Sequence, residues 1–262
     1  MKRLASLQRP DGWLTLVGLF WLEPGDNRVG SDSGASVRLP AGKAPPRLGA
    51  ITLGASTIRF QAAPDVAVAC DGKPAAACDL KSDEESEPTL LEHGSLSFYV
   101  IKRGERFAVR VKDSDAPARS RFHGLENFPI SERFRFVARF EKYDPPKRIS
   151  VPNILGKETS ETSPGALVFT HEGRTYRLDP VLETGTADLF VIFGDATNGH
   201  ETYGGGRFLY ASPPVDGRTV LDFNKAYNPP CVFSPYATCP LPPAQNLLPI
   251  RIEAGEKTYK HP

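Results

Sequence analysis

The sequence predicts an all-β protein, mainly antiparallel and with little helix, and three observations carry that expectation. Glycine (23) and proline (25) are abundant in the 262 residues, whereas methionine occurs once. Apolar residues alternate with polar ones over short runs instead of recurring at helical spacing. Turn signals return about every eight to twelve residues, the rhythm of a sandwich or barrel. With 40% hydrophobic residues, the chain has enough apolar surface to fill a sizeable core.

The elements follow in order. Lys2 and Arg3 precede the apolar run "WLTLVGLFWL" at 13–22, which has the look of a secretory leader. Pro10, Asp11 and Gly12 separate charge from run, and Glu23-Pro24-Gly25 is a turn rather than a small-residue cleavage site, so the run reads as mature structure. It is also too short to span a bilayer. The expected location is soluble: cytoplasmic, or periplasmic if a leader has been removed. In 50–60, Ile51, Leu53 and Ile58 alternate with small or polar neighbours, and "CDGK" predicts a hairpin turning through Asp71-Gly72. These elements predict a small β-sandwich over 1–91. The acidic stretch "KSDEESEPT" at 81–89 reads as a solvated loop or a boundary linker.

A larger barrel or sandwich is expected over 92–262, with the first sandwich packed on it. Its elements begin with the hairpin "GSLSFYVIKRGERFAVRVKD" and continue through "FRFVARFEKYDPPKRISVPN", "GALVFTHEGRTYRLDPVLE", "ADLFVIFGDATNG", "GRFLYAS" and "GRTVLDFN". A proline-rich wall, "YNPPCVFSPYATCPLPPAQNLLPI", closes the chain. Prolines fix φ and remove backbone donors, so such a segment holds an irregular path without a sheet partner.

Charge bounds the partners. Lys and Arg total 32 against 31 Asp and Glu, and a net charge of +1 sets up no global field for nucleic acid or an anionic membrane. Recognition is therefore expected to be local, and two clusters suggest where. Arg119, Arg121 and His123 alternate in "APARSRFHG"; in an extended segment all three point one way, as an anion clamp of guanidinium forks beside an imidazole. The loop 194–206 carries Asp195, His200 and Tyr203, then three glycines leading to Arg207. Those glycines serve either a tight turn or the close approach of a ligand. The wall is expected to place Asn224, Tyr227, Asn228 and Tyr236 over the same cleft. Its alternative is a purely structural C-terminal wrap.

Other chemistries find little support. The five histidines show no metal-ligand spacing, so no metal is expected, and no cofactor fingerprint is present. Ser120, Ser131 and Ser234 sit in no nucleophile elbow. Cys231 as a nucleophile, with His123 or His200 as base, lacks a helix N-terminus to activate it. Cysteines pair locally, Cys70 with Cys78 and Cys231 with Cys239, each eight positions apart. That spacing suits a short disulfide-closed loop and not a Cys-x-x-Cys site; buried thiols are the alternative.

The stretches "LFVIFGDATNGHETYGGGRFLY" and "LDFNKAYNPPCVFSPYATCPLPPAQNLLPIRIEAGEK", with "GWLTLVGLFWLEPGDNRVGS" and "FPISERFRFVARFEKYDPP", resemble the family known as domain of unknown function 1684, found in bacteria and archaea. The resemblance covers nearly the whole chain and implies no established activity. "GDNRVGSDSGASVRLP" followed by "RLGAITL" is similar to the opening strands of forkhead-associated sandwiches, which implies their fold for the first half. The Gly-Arg and Ser-x-x-His that hold phosphate there are absent, since Ser31 follows Gly30 and no histidine follows Pro46.

Two functions are carried forward. One is a binding protein or enzyme for a small polar, anionic ligand in a C-terminal cleft, held by Arg119, Arg121 and Arg207, with His123 or His200 moving a proton if there is chemistry. The other is a non-enzymatic interaction module that docks a partner on the N-terminal sandwich.

Overall fold

The computed structural model of the chain describes residues 2–85 and 87–261. Among these residues the helices are short: Lys2–Leu7, Pro117–Ser120 and a few single 3₁₀ turns. None is long and apolar enough to cross a membrane. Strand pairing is antiparallel except where β2 meets β3, so the all-β expectation holds.

Backbone contacts divide the described residues into two compact units, 2–122 with 234–237, and 123–233 with 238–261. The first contains β1 (Leu16–Trp21), β2 (Gly25–Gly30), β3 (Val37–Arg38), β4 (Gly49–Leu53), β5 (Ile58–Ala62), β6 (Ala69–Cys70), β7 (Lys73–Pro74), β8 (Ala77–Asp79), β9 (Leu91–His93), β10 (Leu96–Arg103) and β11 (Arg106–Asp113). Among the described residues these form two sheets, ordered β1-β11-β10-β9-β6-β7 and β3-β2-β4-β5-β8. The inward residues of both, among them Val29, Ile51, Phe60, Phe98, Val109 and Val111, make one core, which is the expected sandwich. Phe60 meets Phe98 edge-on across it at 6.4 Å. The predicted Asp71-Gly72 turn is present, with positive φ at both residues and Cys70 opposite Lys73.

The first unit is larger than the expected 1–91. The 96–113 hairpin was expected in the second unit, but β11 carries an apolar inner face that pairs with β1, so β10 and β11 complete the first sandwich. Neither is the acidic loop at 81–89 a boundary: Ser82 bridges Val100, and Asp83 accepts from the Lys102 N–H.

The second unit contains β12 (Arg135–Pro152), β13 (Glu158–His171), β14 (Arg174–Leu178), β15 (Val181–Leu182), β16 (Leu189–Phe193), β17 (Arg207–Ala211) and β18 (Arg218–Asp222). Its sheets run β14-β13-β12-β18 and β15-β16-β17. The β12–β13 register shifts between Lys142 and Lys147, where Pro145 and Pro146 have no N–H to give to the ladder. Ala138, Leu167, Val191, Leu209 and Leu221 join the two sheets in a common core. At its centre Phe223, fully buried, touches Phe169 at 5.6 Å and Phe193 at 5.1 Å. Leu248, Ile252 and Ala254 from the C-terminal segment belong to the same core.

Candidate functional site

The loop after β16 turns inward, contrary to its expected role facing a ligand. Arg207 is 0% exposed. Its Nη2 donates to Asp195 Oδ2 at 2.8 Å and to the Ile252 carbonyl at 2.9 Å, and its Nη1 donates to the Ala254 carbonyl. Burial pushes the guanidinium pKa down, and the Asp195 carboxylate opposes that shift. Asp195 Oδ1 accepts from the Thr197 N–H and hydroxyl, at 2.9 and 2.7 Å, and from the Ile252 N–H at 3.1 Å. Both side chains are thereby committed to pinning the C-terminal segment. Of the three glycines, Gly206 explains itself: φ is +83°, and a Cβ there would sit 2.4 Å from Pro242 and 2.6 Å from the Phe193 carbonyl. His200 is exposed. Tyr203 is half-buried, and its phenol pKa is raised by burial and then by the nearby Cys231 and Cys239.

The arginine clamp does not form either. Pro117 at the first helical position starts a helical turn where an extended segment was expected, so the alternation is lost. Arg119 donates to the Gln8 and Ser114 carbonyls, both at 2.8 Å, within the first unit. Arg121 is exposed, and His123, already in the second unit, stacks on Tyr259 at 5.6 Å.

Residues of the proline-rich wall serve the fold. Asn224 clasps Ser131, accepting from its N–H and donating to its carbonyl, both at 2.9 Å. Asn228 donates through its amide to the Lys257 carbonyl, and its backbone N–H reaches Glu256. Tyr227 packs against Phe208 and Tyr210. Tyr236, in the stretch counted with the first unit, is 38% exposed. One residue that sequence reasoning passed over, Asn246, is the wall's anchor: buried, it bonds the Asp179 N–H and carbonyl and the Ile192 carbonyl. The structural wrap therefore describes this segment better than a ligand-facing wall.

Charge gathers instead on the outer face of the four-stranded sheet. Along β12, Phe136, Ala138 and Phe140 point to the core while Arg135, Val137 and Arg139 point out. Arg218 on β18 stands directly opposite Arg139, and Val168 and then Arg177 continue the row across β13 and β14. A groove of about 530 Å³ lies here, lined by Arg135, Val137, Arg139, Val168, Thr170 and Arg218 among others. Glu141 bonds both Arg177 and Arg139, and these two arginines hold its carboxyl below the usual carboxylate range. Arg135 and Arg218 have no hydrogen-bond or ion-pair partner for their side chains among the described residues. Asp222 faces Arg135 across the ladder, but its Oδ1 caps the following turn through the Asn224 N–H and side-chain amide. Val137 is 65% exposed between the arginines.

In the first unit a groove of about 940 Å³ is lined mostly by residues 61–69, six of them alanine or valine, with Asp65 and Glu92 as its carboxylates. Cys70 and Cys78 there form a disulfide. Among the described residues no three His, Cys, Asp or Glu side chains are placed to hold a metal ion.

No curated protein matches the chain. Among solved structures it is similar to an uncharacterized protein from gene locus rrnAC0354 of Haloarcula marismortui, with 31% identity over 54% of this chain and 80% of that one and a TM-score of 0.45. The FhaA FHA domain, solved in complex with the intracellular domain of Rv3910, is similar at 14% identity over 36% of this chain and 97% of its own, with a TM-score of 0.26. Another structure, from a study of phosphothreonine-dependent FHA domain interactions, shares 16% identity over 37% and 96%, also at 0.26. A family model matches residues 120–257, which take in the whole second unit up to its last strand and the wall behind it, and the chain belongs to that family, the proteins of unknown function DUF1684.

Proposed function

We propose that the second unit binds a small anionic ligand of phosphate or carboxylate chemistry in the arginine-lined groove of its four-stranded sheet. The observation that carries this reading is the direct cross-strand pairing of Arg139 with Arg218, with Arg135 on the same face. Like charges placed opposite each other weaken a sheet. An anion lodged between the guanidinium forks removes that repulsion and accepts charge-assisted, bidentate hydrogen bonds. Val137 and Val220, both exposed on this face, add an apolar flank suited to a short carbon skeleton beside the charge. The lining is arginine, threonine and apolar side chains, groups that bind rather than move protons, so the reading is of binding without chemistry at this groove.

Calorimetric titration with inorganic pyrophosphate and with succinate at low salt tests it. A dissociation constant of about 0.1–1 mM is expected, weakening as salt is added. Arg135→Ala or Arg218→Ala should weaken binding roughly tenfold with an unchanged circular dichroism spectrum, since both side chains are exposed. Absence of heat with both probes, or full binding by the double variant, overturns the reading.

A further inference from the structure

Cys231 and Cys239 face each other across the wall. The Cys231 N–H donates to the Cys239 sulfur at 3.1 Å, and the Cys239 N–H donates to the Cys231 sulfur at 3.3 Å. Each sulfur thus lies against the other residue's backbone, an arrangement that demands close approach of both. The surroundings hold them there. Pro230–Val232 forms a 3₁₀ turn around Cys231, while the Cys239 carbonyl accepts from the Ile154 N–H and the Leu241 N–H donates to the Pro152 carbonyl, fixing the second cysteine along the end of β12. The two differ in exposure: Cys239 is 5% exposed, whereas Cys231 is half-buried. Between them the chain contributes Ser234–Ala237 to the first unit, where the Ser234 hydroxyl donates to the Leu16 carbonyl.

We propose that Cys231 and Cys239 are a thiol–disulfide exchange site, with Cys231 as the attacking thiol, Cys239 as the resolving thiol, and a small disulfide such as oxidised glutathione as co-reactant. The Cys231 thiolate attacks one sulfur of the incoming disulfide, forming a mixed disulfide and expelling one thiol. The Cys239 thiolate then displaces the second thiol, leaving the Cys231–Cys239 bond. Two electrons pass from the cysteine pair to the small disulfide, and the two protons end on the two thiols released. The product closes the loop 231–239 and restricts the path of its tip. This is independent of the anion groove, which shares none of these residues.

The test uses the whole chain, fully reduced and then exposed to oxidised glutathione, alkylated in acid, and cleaved with chymotrypsin, for which Phe233 and Tyr236 supply sites between the cysteines. Peptides carrying Cys231 and Cys239 should be recovered joined and unalkylated. Cys239→Ser should trap one glutathione on Cys231, an adduct that the parent does not accumulate. Cys231→Ser should react at Cys239 about tenfold more slowly than the parent pair, because that sulfur is buried. Recovery of both cysteines alkylated, or of separate glutathione adducts persisting on both in the parent protein, overturns the proposal. Since the parent measurement needs no variant, a folding defect in either serine form leaves it decisive.

Discussion

Replacing Asp195 with alanine leaves a guanidinium in the core without the carboxylate bonded to it, and only the more distant charge of Glu256 opposes its burial. Arg207 is fully buried, and its remaining hydrogen-bond partners are the neutral carbonyls of Ile252, Ala254 and Glu256, with the Phe193 ring beneath it. Removing one member of a buried ion pair costs about 3–5 kcal/mol, against a total stability of about 5–15 kcal/mol for a typical domain. Three further donors, the Thr197 N–H and hydroxyl and the Ile252 N–H, also lose their acceptor, so the upper part of that range is expected. Arg207→Met should cost a similar amount for the complementary reason. The double variant Asp195→Leu/Arg207→Met removes both charges of the pair and strands only neutral groups, so its loss should fall below the sum of the singles by about 3 kcal/mol. Both tryptophans, Trp13 and Trp21, lie in the first unit, so their fluorescence follows the wrong part of the chain. Urea unfolding followed by hydrogen–deuterium exchange of peptides from β16 and β17 reports on the second unit directly. If Arg207→Met stays within about 1 kcal/mol of the parent and instead abolishes anion binding, the structural role assigned to this pair is wrong.

Gly206→Ala should destabilise the second unit by about 2–4 kcal/mol, from positive φ and the clash with Pro242, whereas Gly204→Ala, with no atom nearer than 3.8 Å to its Cβ position, should stay within about 0.5 kcal/mol; urea midpoints compare them. Glu141→Gln removes the carboxylate that binds Arg177 and Arg139, and calorimetry should show pyrophosphate binding about two- to fivefold tighter. With sulfate as the probe, whose charge is constant over that range, the parent should show the same gain as pH falls through the lowered pKa of Glu141, because protonation there deletes the competing negative charge. At the alkaline end, burial raises the phenol pKa of Tyr203, Tyr210 and Tyr259, with the Glu183 hydrogen bond adding to the effect at Tyr210. A group whose folded pKa lies above its unfolded value of about 10 contributes stability that is complete below that pH and lost as pH climbs through the folded value. Unfolding midpoints should therefore drop between about pH 10 and pH 12, and phenolate absorbance should lag that of free tyrosine.

The all-β architecture was legible because its signals are local. The Asp71-Gly72 hairpin follows from two residues that accept positive φ, and the strand Leu189–Phe193 from an unbroken apolar run bounded by a glycine. The unit boundary was not legible, since the hairpin at 96–113 has an apolar face that suits either sandwich, and only its register with Leu16–Trp21 decides between them. Asp195 and Arg207 stood out separately as polar residues of one loop, but their direction depends on carbonyls more than forty residues further along, at Ile252 and Ala254. A loop rich in hydrogen-bonding side chains looks the same in sequence whether it binds a ligand or the protein's own backbone. The alternation of Arg135, Val137 and Arg139 could have been read from "RFVARF", where phenylalanine and alanine mark the buried face. Their convergence with Arg218 could not, because it rests on strand pairing across the sheet. Asn246 gave no signal at all: an asparagine between an alanine-glutamine turn and a leucine pair reads as a loop residue until the Asp179 backbone is seen beside it.

The most direct measurement is a nitrogen-15 spectrum of the arginine side-chain Nε–H groups, assigned by single substitutions and titrated with pyrophosphate. Arg135, Arg139 and Arg218 are expected to shift together with one dissociation constant while Arg207 and Arg119 stay in place. Movement of Arg207 or Arg119 with the groove arginines unmoved would contradict the proposed site.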